Sequence, residues 1–539
     1  MEGGVLKNYT KTILFVLTAV VLFASAIQQA TDFCPVKELS GVTVSNAKPS
    51  VSFKDFCTGT MQSQTEAYLR QHCGFREPLT RLYNQTVWAF FRYSKVAEAY
   101  RILINDDNWI YEPWSVEEYY QSLVYVYAND SADMVGKMEA EARRLRQLQQ
   151  ILEPNGTHLF VALLPGKEQV YGEHVPKNTR YFKEKKTTAY EFYSKRFKEL
   201  GVEHVNFADW FLQLKGTTSY PLFPQTGTHW SNLASMHVAD SLLRYLEDLG
   251  DMNLMNLEIG STYKRTVKPD NDLESLMNLI WPLQKASNFL AGCRFTTDTT
   301  VVKPKIITIG DSFYWNIINL SSFASAFHSC PYWYYFSTAF FSGSETQVAK
   351  LDLLEEVLSS DFVMLSYSTA PIYGMSNGFS QRLLLELCYE PEEINAKLNK
   401  VRRTIQNDSA RMAEIHAHAW PRGRNYEQAL SDEVNLEVFN DLEHYFPALL
   451  DSIPTRHSLK ARALTGDSLA FVELEVRKTI ENLKASPKQM DIQREKAQKR
   501  GLDLETMTRY DAQWVVNEKL KKGLLTFPGK LKKNMNQSS

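Results

Sequence analysis

A serine and a histidine in this chain stand where side chains do chemistry. The apolar run Ile306-Ile307-Thr308-Ile309 ends in Gly310-Asp311-Ser312-Phe313 and then enters a helix-like stretch. Such a junction lifts a serine hydroxyl out at the carboxyl edge of a parallel sheet. The helix start beyond it aims backbone N–H groups and a positive dipole at the place where an oxyanion would form. About eighty residues upstream, Thr226-Gly227-Thr228-His229-Trp230 sets a histidine at the head of another helical stretch. Imidazole titrates near neutral pH, which suits a base that takes a serine proton and later returns it. Ser312 as nucleophile and His229 as base make acyl transfer the chemistry to expect. Gly310 permits the tight turn, Asp311 is expected to stabilise it, and N–H groups near Gly310 and Ser312 are the expected oxyanion donors. Taken singly, Ser312 could be a helix cap and His229 an ordinary polar residue; the pairing favours catalysis. An acid two residues before the histidine would orient its ring, but Gly227 stands there. Asp209, in the preceding loop, is the carboxylate expected to substitute.

Both motifs need a sheet that brings helix starts to one edge. His158–Leu164 reads as a buried strand ended by Pro165-Gly166, after a helix from Ser131 to about Leu152 and an Asn155-Gly156 turn. A helix over 183–200 is stopped by Gly201, and 202–207 is strand-like. The stretch 229–249 carries Leu233, Met236, Ala239, Leu242, Leu243 and Leu246 on one helical face, with Gly250 as its stop. Residues 251–303 read as irregular. After the strand into Ser312 come an aromatic core strand over 332–336, a helix over 345–358 and an apolar strand over 362–365. Strands alternating with helices predict an α/β fold: a parallel sheet with helices on both faces and right-handed crossovers. Parallel strands are expected near 158–164, 203–207, 305–309 and 361–366.

Domain boundaries are expected as an N-terminal membrane segment (1–30), a helical lead-in (31–115), a catalytic domain (116–385) and a helical C-terminal region (386–539). In the first of these, Lys7 and Lys11 precede the apolar run 13–26. It reads either as a signal peptide cleaved near Ala24-Ser25-Ala26 or as an uncleaved signal anchor. Either way the rest of the chain is expected to be exported. The six cysteines all follow that segment, and Cys57 and Cys73 are the nearest plausible disulfide pair. No spacing is CxxC, and His416 and His418 are two apart in a helical stretch, so neither a metal nor another cofactor is expected. The 539 residues carry a net charge of −2, which does not give the basic footprint of a nucleic-acid binder.

Over about 55–380 the chain resembles the alginate O-acetyltransferase-like branch of the SGNH hydrolase superfamily. Beyond the two motifs, the likeness rests on Gly74-Phe75-Arg76, Asn84-Gln85, Asn108-Trp109-Ile110-Tyr111 and the Pro-x-Lys segment Leu164–Tyr171. The histidine block precedes the serine block, the circularly permuted order of that branch, and Gly227 departs from the family's Asp. The resemblance implies an exported or membrane-anchored enzyme that acetylates a cell-surface or secreted polysaccharide through a serine acyl-enzyme. It also implies a multispanning membrane acyltransferase as the source of acetyl groups. Two alternatives remain open at this stage: a carbohydrate acetyl-esterase, and a non-catalytic glycan-binding or assembly protein.

Overall fold

In the computed structural model, residues 2–42, 48–99, 102–125, 131–176, 187–267, 270–283, 288–321, 323–419, 426–445 and 458–527 are described. Eleven strands lie among them: β1 (Leu103–Ile104), β2 (Ile110–Tyr111), β3 (His158–Leu164), β4 (His204–Asn206), β5 (Asn256–Lys264), β6 (Phe289–Thr296), β7 (Ile306–Gly310), β8 (Tyr332–Tyr334), β9 (Thr338–Phe341), β10 (Ser344–Gln347) and β11 (Phe362–Ser368). Seven form one sheet in the order β10-β9-β8-β7-β11-β3-β4. The five strands from β8 to β4 run parallel, and the β9–β10 hairpin closes one edge antiparallel. This is an SGNH-like α/β architecture, with the four predicted parallel strands in place.

The centre of the sheet is apolar at consecutive positions because both faces are covered. Along β3, Leu159, Val161 and Leu163 enter one core while Phe160 and Leu164 enter the other. The alternation repeats in β11, with Val363 and Leu365 on the first face and Phe362 and Met364 on the second. Helices Ser131–Leu152, Ala189–Leu200 and Phe379–Cys388 cover the first face; Asn232–Gly250 and Tyr314–Ser321 cover the second. Each fully buried leucine, isoleucine or phenylalanine contributes on the order of 2 kcal/mol. Local signals set the helix ends. Thr188 and Glu191 make a capping box, and Gly201 (φ 67°) stops that helix. Ser231 caps the helix behind His229 by accepting from Ala234 N. That helix runs through Gly250, and Asp251 ends it in the left-handed region.

Three sequence expectations are corrected. The stretch 251–303 is not irregular: β5 and β6 pair antiparallel within it, and the helix Asp272–Leu276 lies between them. The helix expected over 345–358 shrinks to Leu353–Leu358, because 344–347 forms β10. The two-residue Ser342-Gly343 turn, with Gly343 at φ 83°, is a hairpin signal that outweighs the acidic run after it. All six cysteines carry free thiols, Cys57 and Cys73 included. The start of the helix expected over 183–200 lies outside the described residues; the described helix begins at Ala189.

At the N-terminus, Glu2–Thr31 is helical, and Lys11–Thr31 is apolar and long enough to cross a membrane, with a mean hydropathy of 2.1. The described residues beyond Glu390 are helices and their connections, without strands. The helix Arg76–Phe91 reaches the segment 277–281. Asn84 Nδ2 donates to Met277 O at 2.9 Å, and Gln85 Oε1 accepts from Ile280 and Trp281 N–H groups at 3.1 and 2.9 Å.

One backbone contact fixes where the serine emerges. At Gly310, the last residue of β7, an added Cβ would lie 2.1 Å from Ser366 O of the neighbouring β11 backbone. Both strands are central and neither can step aside. Gly310→Ala is therefore expected to destabilise the fold by about 3 kcal/mol, at the severe end of overpacking. A denaturant midpoint within error of the parent would refute the close approach.

Candidate active site

β7 delivers the serine. Its carboxyl end is followed by Asp311 and Ser312 and then by the helix Tyr314–Ser321. Asp311 is buried and serves the turn: its carboxylate accepts from Phe313 N at 3.0 Å, Ser368 N at 2.7 Å and Ser368 Oγ at 2.5 Å. These bonds tie the turn to the end of β11. Burial raises the Asp311 pKa, and the Ser368 and Phe313 bonds offset only part of that. Tyr332 Oη also donates to Asp311 O. Ser312, half-buried, is left facing the histidine.

His229 arrives from the loop before its own helix. Its Nε2 lies 2.8 Å from Ser312 Oγ, within reach of proton transfer. The imidazole packs against the Phe313 ring at 4.9 Å, and Phe313 in turn meets Trp230 and Phe223. The structure thus joins the two residues that the sequence left 83 positions apart.

The third member is Asp272. Its Oδ2 lies 2.5 Å from His229 Nδ1, while Oδ1 accepts from the Thr228 and Leu273 N–H groups at 2.8 Å each. One carboxylate therefore orients the ring and braces the loop that carries it. Burial would lower the His229 pKa, but the Asp272 hydrogen bond and the charges of Asp272, Glu112 and Asp311 outweigh it, so the pKa is raised. With Nδ1–H held by Asp272, Nε2 is the free basic nitrogen, on the side facing Ser312.

Asp209 is not part of this arrangement. It follows β4, the sheet edge three strands from β7, roughly 14 Å away at ordinary strand spacing. There it accepts from Tyr190 Oη at 2.5 Å and Asn206 Nδ2 at 2.9 Å. Tyr190 and Asp209 line a cavity of about 470 Å³ beside Glu168 that does not include Ser312 or His229. Gly227 explains why the acid must come from elsewhere. A Cβ at 227 would meet Asp270 O and the Pro224 ring at 2.9 Å each. Asp270 itself is buried, accepts from Asn232 N and Nδ2 at 3.0 and 2.6 Å, and anchors the helix behind His229. Burial raises its pKa to about 6.

A buried lysine holds the histidine loop from beneath. Lys167 Nζ donates to Ile110 O at 2.7 Å and to Gln225 O and Gly227 O at 2.8 Å each. Tyr111 and Trp109 rings lie 4.9 and 5.3 Å from the same atom. Three carbonyls match the three donors of an ammonium. Burial nevertheless pushes the Lys167 pKa down to about 7, against the pull of Asp272, Glu168 and Glu112. Sequence reading placed Lys167 in a motif without giving it a role; its partners are distant in sequence. Beside the same loop, Glu112 Oε2 accepts from Thr228 Oγ1 at 2.9 Å. Burial raises the Glu112 pKa, the Thr228 bond opposing.

Residues 103–313 match the family described as SGNH hydrolase-like domain, acetyltransferase AlgX. Among solved structures, the chain is similar to the O-acetyltransferase domain of Pseudomonas putida AlgJ, at 16% identity over 50% of this chain and 92% of that one, with a TM-score of 0.34. It is similar to Pseudomonas aeruginosa AlgX at 14% identity, over 53% and 68% of the two chains, with a TM-score of 0.33. Bacillus cereus PatB1 follows at 11% identity, over 52% and 99%, with a TM-score of 0.31. No curated protein matches the sequence. The family match takes in the histidine loop, Lys167, Asp272 and the serine turn, in the permuted order, so the chain carries an SGNH hydrolase-like domain similar to that of the AlgX acetyltransferases.

Proposed function

We propose that this chain is an O-acetyltransferase that works outside the cytoplasm and moves acetyl groups onto a polysaccharide through an acetyl-serine. The observation that carries the reading is the continuous line Ser312 Oγ–His229 Nε2, His229 Nδ1–Asp272 Oδ2, at 2.8 and 2.5 Å. In the first half-reaction Ser312 Oγ attacks the carbonyl carbon of an acetyl donor while His229 Nε2 takes its proton. The donor's C–O bond breaks, the leaving oxygen receives that proton, and Ser312 is left acetylated. In the second half, a sugar hydroxyl gives its proton to His229 and attacks the acetyl carbonyl. Ser312 Oγ leaves and recovers the proton. Asp272 keeps the ring in the required tautomer and stabilises the imidazolium formed twice per cycle. The Ser312 N–H is the oxyanion donor in this scheme; Phe313 N is committed to the Asp311 carboxylate, and Tyr314, Trp315 and Asn316 N–H groups donate to Asp311, Ser312 and Phe313 carbonyls.

The catalytic unit is read as 116–385, with 103–112 built into it through Lys167 and Glu112. The apolar segment Lys11–Thr31 is the anchor in this reading, and it keeps the domain near a multispanning donor protein. The test is to incubate the protein with an aryl acetate, with and without oligosaccharides, and to measure both acetyl-protein by intact mass and acetyl-sugar. Acetyl on Ser312 that moves to sugar supports the transferase. Acetyl that passes only to water makes the chain an esterase, and no acetyl-protein at any time would falsify both.

A further inference from the structure

The helix Arg76–Phe91 turns an uncharged, largely apolar face outward. Its inner face is held by the rest of the chain. Arg81 donates to Lys37 O and Glu38 O at 2.8 and 2.7 Å, Asn84 and Gln85 bind the segment 277–281, and Trp88 is buried against Ile110, Leu273 and Met277. On the other side Leu79, Leu82, Tyr83, Thr86 and Phe90 stand at i, i+3, i+4, i+7 and i+11, one helical stripe. All five are exposed, Tyr83 at 62% and Phe90 at 78%. From Leu79 to Phe91 no exposed position carries a charge. A surface helix in water places its charged residues outward. An apolar outer stripe of this kind fits an apolar phase.

The start of the helix shows which phase is within reach. Just before it, Gly74 lies on the backbone of the N-terminal helix. A Cβ there would overlap Ser25 O and would stand 2.8 Å from both Gln28 Cβ and Gln29 N. The next residue, Phe75, meets Phe33 edge-on at 5.9 Å. The apolar segment Lys11–Thr31 has 21 residues. At about 1.5 Å per residue it matches a hydrocarbon core of about 30 Å. Ser25 stands six residues before its outer end, about 9 Å inside it. The turn 73–75 therefore touches the span below its outer end, and the helix Arg76–Phe91 begins at that level.

The chain between span and helix is folded back and tied down. Gln28 donates to Cys34 O at 2.7 Å and accepts from Cys34 N at 3.0 Å. Ser40 N donates to Asn278 Oδ1 at 2.8 Å, and Asn278 Nδ2 returns a bond to Ser40 O at 3.1 Å. These bonds join the span to the segment that follows the helix Asp272–Leu276. The Trp88 ring packs on Leu273, next to the carboxylate that orients His229. A bilayer that holds the outer stripe would thus hold the Asp272 segment at a fixed height above it.

We infer that the stripe Leu79, Leu82, Tyr83 and Phe90 is a lipid-docking face, which lies in the interfacial layer of the bilayer that the N-terminal span crosses. The inference rests on the anchor reading of Lys11–Thr31. The full chain is reconstituted in nanodiscs of phosphatidylethanolamine and phosphatidylglycerol that include a phospholipid with a diazirine in its upper acyl chain. After irradiation, lipid adducts are mapped by mass spectrometry. Adducts in 79–90 are expected at least ten-fold above those in 504–521, a C-terminal helix that exposes Tyr510 and Trp514. Leu82→Glu combined with Phe90→Glu changes two exposed side chains. It should cut the adducts in 79–90 at least ten-fold, keep those in 11–31 and leave the melting temperature unchanged. Adducts in 11–31 with 79–90 no higher than 504–521 overturn the inference and leave the anchor standing. A face built for a protein partner gives that same result, since the nanodisc holds no second membrane protein at this site. Adducts in 79–90 with none in 11–31 remove the anchor reading and leave the docking face. Adducts in neither segment remove both.

Discussion

Ser312→Ala is expected to lower acetyl transfer by about 10⁶-fold, the scale on which a nucleophile in a Ser–His–Asp unit acts. The expectation rests on where the hydroxyl points. It meets His229 Nε2 at 2.8 Å, and the turn that presents it is built by other atoms, chiefly the Asp311 carboxylate bound to Phe313 and Ser368. Removing the hydroxyl therefore deletes the attacking atom and one hydrogen bond worth about 1 kcal/mol, while the fold stays. Circular dichroism and the melting temperature should hardly move. His229→Ala should cost a comparable factor, and the double variant should be no worse than either single one, since the residues act as a unit. Burst kinetics with an aryl acetate read both halves of this claim. A Ser312→Ala residual rate within ten-fold of the parent, or an acetyl group found on another side chain, would remove Ser312 as the nucleophile.

The parts of this molecule that could be read from sequence are those whose signal is local. The runs 158–164 and 306–309 are apolar at every step because both faces of a central parallel strand are buried. Gly310-Asp311-Ser312 and Thr228-His229 announce themselves by standing where such elements end. Asp272 gave no such signal. It lies 43 residues after the histidine, in a stretch that alternates poorly. It reaches His229 only because β5 and β6 pair and the lead-in helix grips the segment after it through Asn84 and Gln85. Asp209 looked plausible because it is near His229 in sequence, yet β4 carries it to the wrong edge of the sheet. The β9–β10 hairpin was legible in Ser342-Gly343 and was masked by the helix-favouring glutamates of 355 and 356. Long-range carboxylates and cations such as Asp272, Glu112 and Lys167 are set by tertiary proximity, which no spacing rule encodes.

Asp272→Asn is expected to cost about 10⁴-fold in acetyl transfer while leaving the protein folded, the penalty of a histidine held in the wrong tautomer. An asparagine of the same size can still accept from Thr228 and Leu273 through its carbonyl oxygen, so the loop is kept. Its amide would then face His229 Nδ1 as a donor, which favours the proton on Nε2, where it blocks Ser312. The pH profile supplies an independent check. In the parent, Asp272 is the main force raising the His229 pKa against the effect of burial. In the proposed mechanism the basic form of His229 is the active one, so the acid limb of kcat/KM should lie above the ordinary histidine value of about 6.5. In Asp272→Asn that support is gone and desolvation is left to act, so the limb should move to lower pH as the plateau falls. Moving the acid to the family's usual place should not repair the damage. An aspartate at 227 would drive its Cβ into Asp270 O and the Pro224 ring, and Asp270 is needed where it is to hold Asn232. Gly227→Asp in the Asp272→Asn background is thus expected to stay at least 10³-fold below the parent. Full recovery in that double variant would mean that the loop can re-form around residue 227 and that Asp272 is replaceable. An Asp272→Asn rate within ten-fold of the parent, with an unmoved acid limb, would mean that something other than this carboxylate orients His229.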